Sequence, residues 1–423
     1  MLTSAENERV TRVGAGTPGG KFFRRYWLPA CLSSELPERD GAPLRVRLLG
    51  EDLIAYRDTG GNVGLVDAYC PHRRAAMFFG RNEESGIRCV YHGWKFDRHG
   101  TCTDMPSEPA GTTLQAKVKI LAYPTVEKGG VIWAYMGPKD KQPPEPDYEW
   151  TRAPPEKRNV TKTFENCNWL QCMEGGLDTA HSSFAHNNHL GDKSVLRQRD
   201  RSPRIDVERT GYGYYYVSHR NMGEEGIYVR VYHYLMPSQQ YRANTVGWFG
   251  GRNAVPRLDG HIWVPVDDYT THVYNWNCAY DSNIEMTPEW KVKRETEMGR
   301  GPEDVIPATF RLKRNQSNDY LIDRQMQKTQ NYTGIVGVNT QDFALQEGMG
   351  PIVDRSKEFL GTSDKAIVAM RRLLLEGIEV AEKGGQPRGV DPEDYRKVRP
   401  HDRMVPPGRD WREVFEKELV AKW

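Results

Sequence analysis

The sequence predicts an α+β protein in two unequal parts: a small all-β domain, then a larger domain combining antiparallel sheet with helices. Three observations carry this. Between residues 44 and 137 the β-prone runs are short and separated by Gly- and Pro-containing turns. Residues 139–157 are dense in proline and charge, the composition of a semi-rigid boundary. Beyond that boundary, aromatic and β-branched runs give way to stretches with helical apolar spacing.

Residues 1–40 read as an N-terminal arm. Ser4 is a candidate N-cap for a short helix through Arg9, Pro18-Gly19-Gly20 breaks it, and residues 22–30 form an amphipathic segment. The first domain is placed at 41–140. Its strands are expected at 45–49, 52–58, 63–68, 87–91, 117–127 and 131–136, and Thr59-Gly60-Gly61-Asn62 turns the chain between the second and third. A small antiparallel barrel or sandwich follows. The second domain, 141–423, has strands expected at 212–220, 227–235, 261–266 and 271–280, and helical patterns near 288–299, 340–348 and 363–383. In the last, Ser363 is the expected N-cap, Ile367, Met370, Leu374 and Ile378 share a face, and Gly384-Gly385 stops the helix. The polar tail from 384 is expected to wrap the surface.

Lys and Arg number 59 against 57 Asp and Glu, a net charge of +2, so neither nucleic acid nor an anionic membrane is an expected partner. No apolar run approaches the roughly 18 residues of a membrane span. The first residues lack the apolar core of a secretion signal. With only seven cysteines, this points to the reducing cytoplasm and no disulfide framework.

Two constellations carry chemistry. Cys70-Pro71-His72 is followed after sixteen residues by Cys89-Val90-Tyr91-His92. Two thiolates and two imidazoles suit zinc or an iron–sulfur cluster. A zinc finger usually takes both cysteines from one turn and both histidines from a helix. Here each turn supplies one of each, so two hairpin tips can grip a 2Fe–2S centre from opposite sides. Second, residues 168–186 contain Asp178, His181 and His186 in the pattern D-x-x-H-x-x-x-x-H. The five-residue spacing turns the imidazoles off one helical face, which suits a helix end running into a loop. Two imidazoles and one carboxylate hold Fe(II) with positions open for dioxygen and substrate. Asp178 could be the carboxylate, or could orient His181 from behind; Asp342 is its rival, and His189 is a spare imidazole.

These segments resemble the Rieske non-haem iron aromatic-ring oxygenases, oxygenase (α) subunit. C-P-H-R-R-A at 70–75 and C-V-Y-H-G-W-K-F at 89–96 look like the cluster motif, and N-W-L-Q-C-M-E-G-G-L-D-T-A-H-S-S-F-A-H at 168–186 like the iron motif. Q-D-F-A-L-Q-E-G-M-G-P-I-V-D-R-S-K-E at 341–358 and L-G-T-S-D at 360–364 are similar to the phthalate 4,5-dioxygenase branch, although Gly348 stands where that branch often has Ser. Aromatic O-demethylases share much of this pattern.

The resemblance implies that Cys70, His72, Cys89 and His92 hold a 2Fe–2S cluster and that His181, His186 and Asp342 hold a mononuclear Fe(II). It implies that Asp178 bridges His181 to His92 of the partner subunit, because the two centres of one chain are too far apart. A head-to-tail ring, a homotrimer or a ring of trimers, then closes the electron path. Electrons come from NADH through a flavin and iron–sulfur reductase. With O2, the enzyme cis-dihydroxylates a phthalate-like aromatic carboxylate, or instead removes a methyl group from a methoxylated acid. Glu174 falls where relatives place a polar residue near the iron. An arginine should meet the substrate carboxylate: Arg204 and Arg242 are the candidates, with Arg230 a third, and Met236, Trp248 and Phe249 could supply an apolar wall. Two rival classes are a Rieske-type electron carrier with no second iron, and a zinc-stabilised binding protein.

Overall fold

Three small antiparallel sheets build the first part of the chain. The computed structural model describes residues 1–192, 194–246 and 255–423. In it, β1 (Trp27–Leu32) pairs with β10 (Val131–Tyr135), which pairs with β9 (Thr125–Lys128). β2 (Leu44–Leu48), β3 (Glu51–Arg57) and β4 (Val63–Asp67) form a meander. In β2 the period of two is plain: Val46 and Leu48 are buried while Arg45 and Arg47 face out. β5 (Arg81–Glu83), β6 (Gly86–Arg88), β7 (Lys95–Phe96) and β8 (Cys102–Asp104) make the third sheet. Ile54, Tyr56, Val66, Met77, Ile87 and Phe96 form a core that includes Cys70 and Cys89.

The second part is organised by an eight-stranded antiparallel sheet. Its order is β11 (Arg158–Glu165), β17 (Thr271–Ala279), β16 (Arg257–Pro265), β15 (Gln239–Asn244), β14 (Ile227–Leu235), β13 (Gly213–Asn221) and β12 (Arg204–Arg209), with β18 (Asp402–Val405) also on β14. The helices that matter here are α1 (Ser4–Thr11), α2 (Pro18–Phe23), α3 (Trp169–Leu177), α4 (Pro288–Glu297), α5 (Val338–Gly348) and α6 (Lys365–Glu382). α3 packs on β16 and on α5, and α6 on β12 and β13. β16 is buried along its whole length, because side chains on both of its faces are covered.

Several expectations need correction. Thr3, not Ser4, caps α1: its hydroxyl accepts from Glu6 N–H while the Glu6 carboxylate accepts from Thr3 N–H. Pro18 does not end a helix but occupies the first turn of α2, where its missing N–H costs nothing, behind the Thr17 cap. The cap position of α6 is Asp364 rather than Ser363. The strand expected at 87–91 stops at Arg88, because Cys89 opens a turn, and 117–124 holds only isolated bridges to Thr101 and Val66.

The boundary segment is not a free linker: Trp150 is fully buried and stacks on Trp276, centroids 5.3 Å apart. The tail is not merely a surface wrap. It supplies β18, and buried Asp402 accepts from Tyr228 Oη at 2.7 Å. The N-terminal arm belongs to both parts, since β1 joins the first and the Phe23 ring meets Trp169 of α3 edge-on at 4.7 Å.

Candidate metal centres and active site

Two near-identical turns carry the first constellation. Cys70 N–H donates to Ala75 C=O (2.8 Å) and Cys70 C=O accepts from Arg74 N–H (2.9 Å). Cys89 repeats this with Trp94 C=O (2.9 Å) and Gly93 N–H (2.9 Å). In each turn the residue four after the cysteine has positive φ, 58° at Arg74 and 78° at Gly93. Glycine takes that conformation freely and arginine with strain. A Cβ on Gly93 would also stand 2.7 Å from Pro106 Cγ.

The His72 ring stacks on Trp94 and meets His92 edge-on, centroids 4.4 Å apart in both cases. Nδ1 of His72 is buried with no hydrogen-bond partner, an orphan that a metal would satisfy. Burial and the neighbouring Cys89 push the Cys70 thiol up to about 11, so it awaits a cation to become a thiolate. Four ligands of one zinc ion would stand within about 4 Å of one another. No three of these four side chains bring donor atoms within 4.8 Å. One cysteine and one histidine from each turn make the donor set of a two-iron cluster with mixed ligands.

The second constellation is built where α3 ends. Asn168 caps the helix through Oδ1, which accepts from Leu170 N–H at 3.1 Å. Asp178 closes it, donating its N–H to Glu174 C=O (3.1 Å), while its carboxylate accepts from Ala180 N–H (2.7 Å) and His181 N–H (3.3 Å). That carboxylate therefore starts the tight turn His181–Ser183 and sets the direction of His181. His186 follows five residues on, and Asp342 arrives from α5.

His186 Nε2 lies 3.1 Å from both His181 Nε2 and Asp342 Oδ1, and His181 Nε2 lies 3.6 Å from Asp342 Oδ1. Adjacent ligands of an octahedral ion at about 2.1 Å are separated by roughly 3 Å, so the triangle fits one face of such an ion. Asp178 stands outside it, with Oδ2 3.6 Å from His181 Nδ1. Burial opposes charge on His181, but Asp178 and Asp342 more than offset it and raise the imidazole. Burial likewise opposes Asp342, yet His186 and His181 hold it below the usual carboxylate range. His189 is exposed and takes no part.

A cavity of about 120 Å³ opens beside the triangle. Its wall shows the strand period: Arg230 and Tyr232 of β14, Gln240, Arg242 and Asn244 of β15, and Asp259, His261 and Trp263 of β16 all face it. Arg242 is half-buried among them. Its Nη2 donates to His261 Nε2 at 2.8 Å, and burial lowers its affinity for the proton. Arg230 also lines the cavity and donates to Ala243 C=O.

Arg204 does not reach it. On the edge strand β12, Ile205 turns inward, so Arg204 points to solvent, 66% exposed, beside Asp206. Met236 is in the main core and away from the cavity, and Trp248 and Phe249 lie outside the described residues. Glu174 is not beside the triangle. Its buried carboxylate is taken by Arg355 (2.8 Å) and Arg371 (2.7 Å).

A second set of donors, Glu165, Cys167 and Cys172, also converges, and burial pushes the Cys172 thiol and the Glu165 carboxyl up. Sequence reasoning missed Gln341, His261 and Asp259. Polar residues at alternate positions of fully buried strands were the available signal for the last two.

The chain is similar to known proteins along its whole length. Residues 26–123 match the Rieske [2Fe-2S] domain and residues 134–422 the LigXa C-terminal domain like family. The phthalate 4,5-dioxygenase oxygenase subunit of Pseudomonas putida is 37% identical over 100% of this chain and 96% of its own length. The 3-chlorobenzoate-3,4-dioxygenase oxygenase subunit of Comamonas testosteroni is 34% identical over 99% of each. The 5,5'-dehydrodivanillate O-demethylase oxygenase subunit of Sphingobium sp. is 34% identical over 92% of this chain and 84% of its own. Among solved structures, Pseudomonas putida CBB5 NdmA with caffeine shares the fold, with a TM-score of 0.63 at 17% identity over 93% of this chain and 100% of that one.

A matched catalytic domain of this extent leaves no room for a bare electron carrier or a zinc-stabilised binding protein, and the cofactors are a Rieske 2Fe–2S cluster and a mononuclear iron. The chain belongs to the Rieske non-haem iron aromatic-ring oxygenases, as an oxygenase subunit of the phthalate 4,5-dioxygenase-like branch.

Proposed function

We propose that the protein hydroxylates a phthalate-like aromatic carboxylate, adding dioxygen across the ring as a cis-diol. The observation that carries this reading is Arg242. It is a half-buried guanidinium on the cavity wall, held on one side by His261, with no carboxylate in hydrogen-bond contact among the described residues. A cation drawn out of water with no carboxylate in contact is costly, and a substrate carboxylate would engage it through a forked pair of hydrogen bonds. Tyr232 and Trp263 give the ring apolar surface, and His181, His186 and Asp342 line the same cavity.

In this reading Cys70, Cys89, His72 and His92 hold the cluster, and His181, His186 and Asp342 hold the iron. Once loaded, the two centres supply single-electron transfer and dioxygen activation. Asp178 orients His181 by accepting from its backbone N–H, and its carboxylate stands 3.6 Å behind the imidazole's Nδ1. Among the described residues none before Glu165 lines the cavity, so the cluster turns of the same protomer do not reach it. That supports a head-to-tail homotrimer in which Asp178 receives His92 of the partner subunit. The labour divides along the sequence: residues 41–140 carry electrons, 141–423 do the chemistry, and the arm 1–40 ties them. Electrons come from NADH through a separate flavin and iron–sulfur reductase.

A second reading is O-demethylation of a methoxylated acid. It is favoured by the likeness to the O-demethylase subunit and uses the same carboxylate anchor. Turnover of phthalate, chlorobenzoates, phenoxybenzoates and methoxylated biaryl acids with a reductase decides: a cis-diol supports the first reading, formaldehyde the second. Retention of full activity on carboxylates by Arg242→Met would reject the anchor.

A further inference from the structure

We infer that Gln341 is a positioning residue for the mononuclear iron: it locks His186 in the tautomer whose Nε2 lone pair faces the metal. This rests on the reading of His186 as an iron ligand. Gln341 is completely buried, and both ends of its side-chain amide are occupied. One end lies 2.9 Å from the backbone carbonyl oxygen of Ile335 and 2.8 Å from Asn188 Oδ1; the other lies 2.8 Å from Nδ1 of His186. A backbone carbonyl can only accept, so the end facing Ile335 must be the NH2 group. The end facing His186 is then the amide oxygen, which also only accepts. Nδ1 of His186 must therefore carry the hydrogen, and Nε2 is left as a lone pair pointing at His181 Nε2 and Asp342 Oδ1.

The lock is itself held. Asn188 donates its N–H to the C=O of His186 (3.0 Å) while its side chain accepts from Gln341, so one residue fixes both the backbone and the tautomer. Arg197 also donates to His186 C=O. At the start of α5, Gly337 has φ 92°, and a Cβ there would stand 2.6 Å from Gly299 Cα. That close approach pins the helix that delivers Gln341 and Asp342 as sequence neighbours. The two side chains serve one metal in different ways: Asp342 binds it directly, and Gln341 acts through the imidazole of His186.

The test uses the full-length protein with its cluster in place, with cluster absorbance and thermal midpoint as folding controls. Gln341→Leu keeps the volume but removes the acceptor, and Asn188→Ala removes one of the two groups that orient the amide. Fe(II) release into a chelator and Co(II) titration, with the ligand-field spectrum of bound Co(II), report on the site without turnover. Gln341→Leu is expected to weaken metal binding roughly 10- to 100-fold and shift the Co(II) bands, and Asn188→Ala to do so less, with the controls unchanged. Unaltered affinity and spectrum in both variants would overturn the inference, provided His186→Ala loses the metal. If His186→Ala keeps it, the ligand assignment fails first and the inference with it.

Discussion

Nη2 of Arg242 donates to Nε2 of His261, 2.8 Å away, and the direction of that bond is forced. Arg300 can only donate, and it donates to Asn275 Oδ1 (2.9 Å), so that atom is an oxygen. His261 Nδ1, 2.9 Å from the same oxygen, must therefore carry the hydrogen. Burial, with Arg242 and Arg300 nearby, holds His261 neutral by lowering it well below the usual imidazole range. A cation is thus anchored by a neutral acceptor, which leaves its charge unspent for the substrate.

His261→Leu should accordingly raise KM for a carboxylate substrate by about 10-fold or more, the loss of one hydrogen bond to a charged group. The methyl ester of the same acid should be little affected. Steady-state kinetics on the pair measure the difference, and an equal rise for both would deny His261 this role.

Arg242→Met is expected to abolish saturable binding of aromatic carboxylates while iron content is kept. Arg204→Ala, on the exposed edge of the sheet, should leave KM unchanged. Substrate titration followed by the spectrum of the metal site checks both.

Asp342→Ala should lose the mononuclear iron but keep the cluster, because the two donor sets share no residue. Asp178→Asn should keep iron and lose most coupled turnover, since its charge lies behind His181 and outside the metal triangle. Iron counting per protomer, with NADH consumed per product formed, separates the two. Full iron in Asp342→Ala would return the ligand role to Asp178.

Gly93→Ala should cost about 1–3 kcal/mol, through backbone strain and the clash with Pro106, and lower the cluster content. Arg74→Gly relieves the matching strain in the other turn, although it gives up the contact with Asp67 (3.0 Å), and should hold the cluster at least as well. Absorbance of the cluster and thermal melting report on each.

His233 gives the pH prediction. Burial pulls it down to about 4, below the roughly 6.5 of an unfolded polypeptide. Between those values the unfolded state binds a proton that the folded one refuses. Its contribution is full above about pH 6.5 and is lost as pH falls toward 4. The slope is about 1.4 kcal/mol per pH unit. His233→Gln should flatten the pH dependence of the unfolding free energy from urea titrations by that amount in this window. An unchanged slope would show that His233 titrates normally.

The cysteine and histidine spacing was legible because each ligand pair sits in one short turn, where local geometry alone sets the distance. Cys70-x-His72 and Cys89-x-x-His92 needed no knowledge of the rest of the molecule. The turn signals at Gly60-Gly61 and the apolar face of α6 were legible for the same reason. Cap residues were off by one at Thr3 and Asp364, since a cap is chosen by backbone dihedrals that composition only approximates.

Contacts between remote segments were not readable in this way. Which carboxylate joins His181 and His186 depended on α5 docking against α3, which brings Asp342 to His186 from a distant part of the sequence and leaves Asp178 behind His181. Which arginine faces the cavity depended on the register of β15 between β14 and β16, because a one-residue slip turns every side chain to the opposite face. Arg204 and Arg242 look alike in the sequence. The edge position of β12 sends one to solvent, and the central position of β15 turns the other to the cavity. Chemistry encoded within a turn is local and survives in one dimension; chemistry assembled from separate strands and helices exists only once the hydrophobic core has set their register.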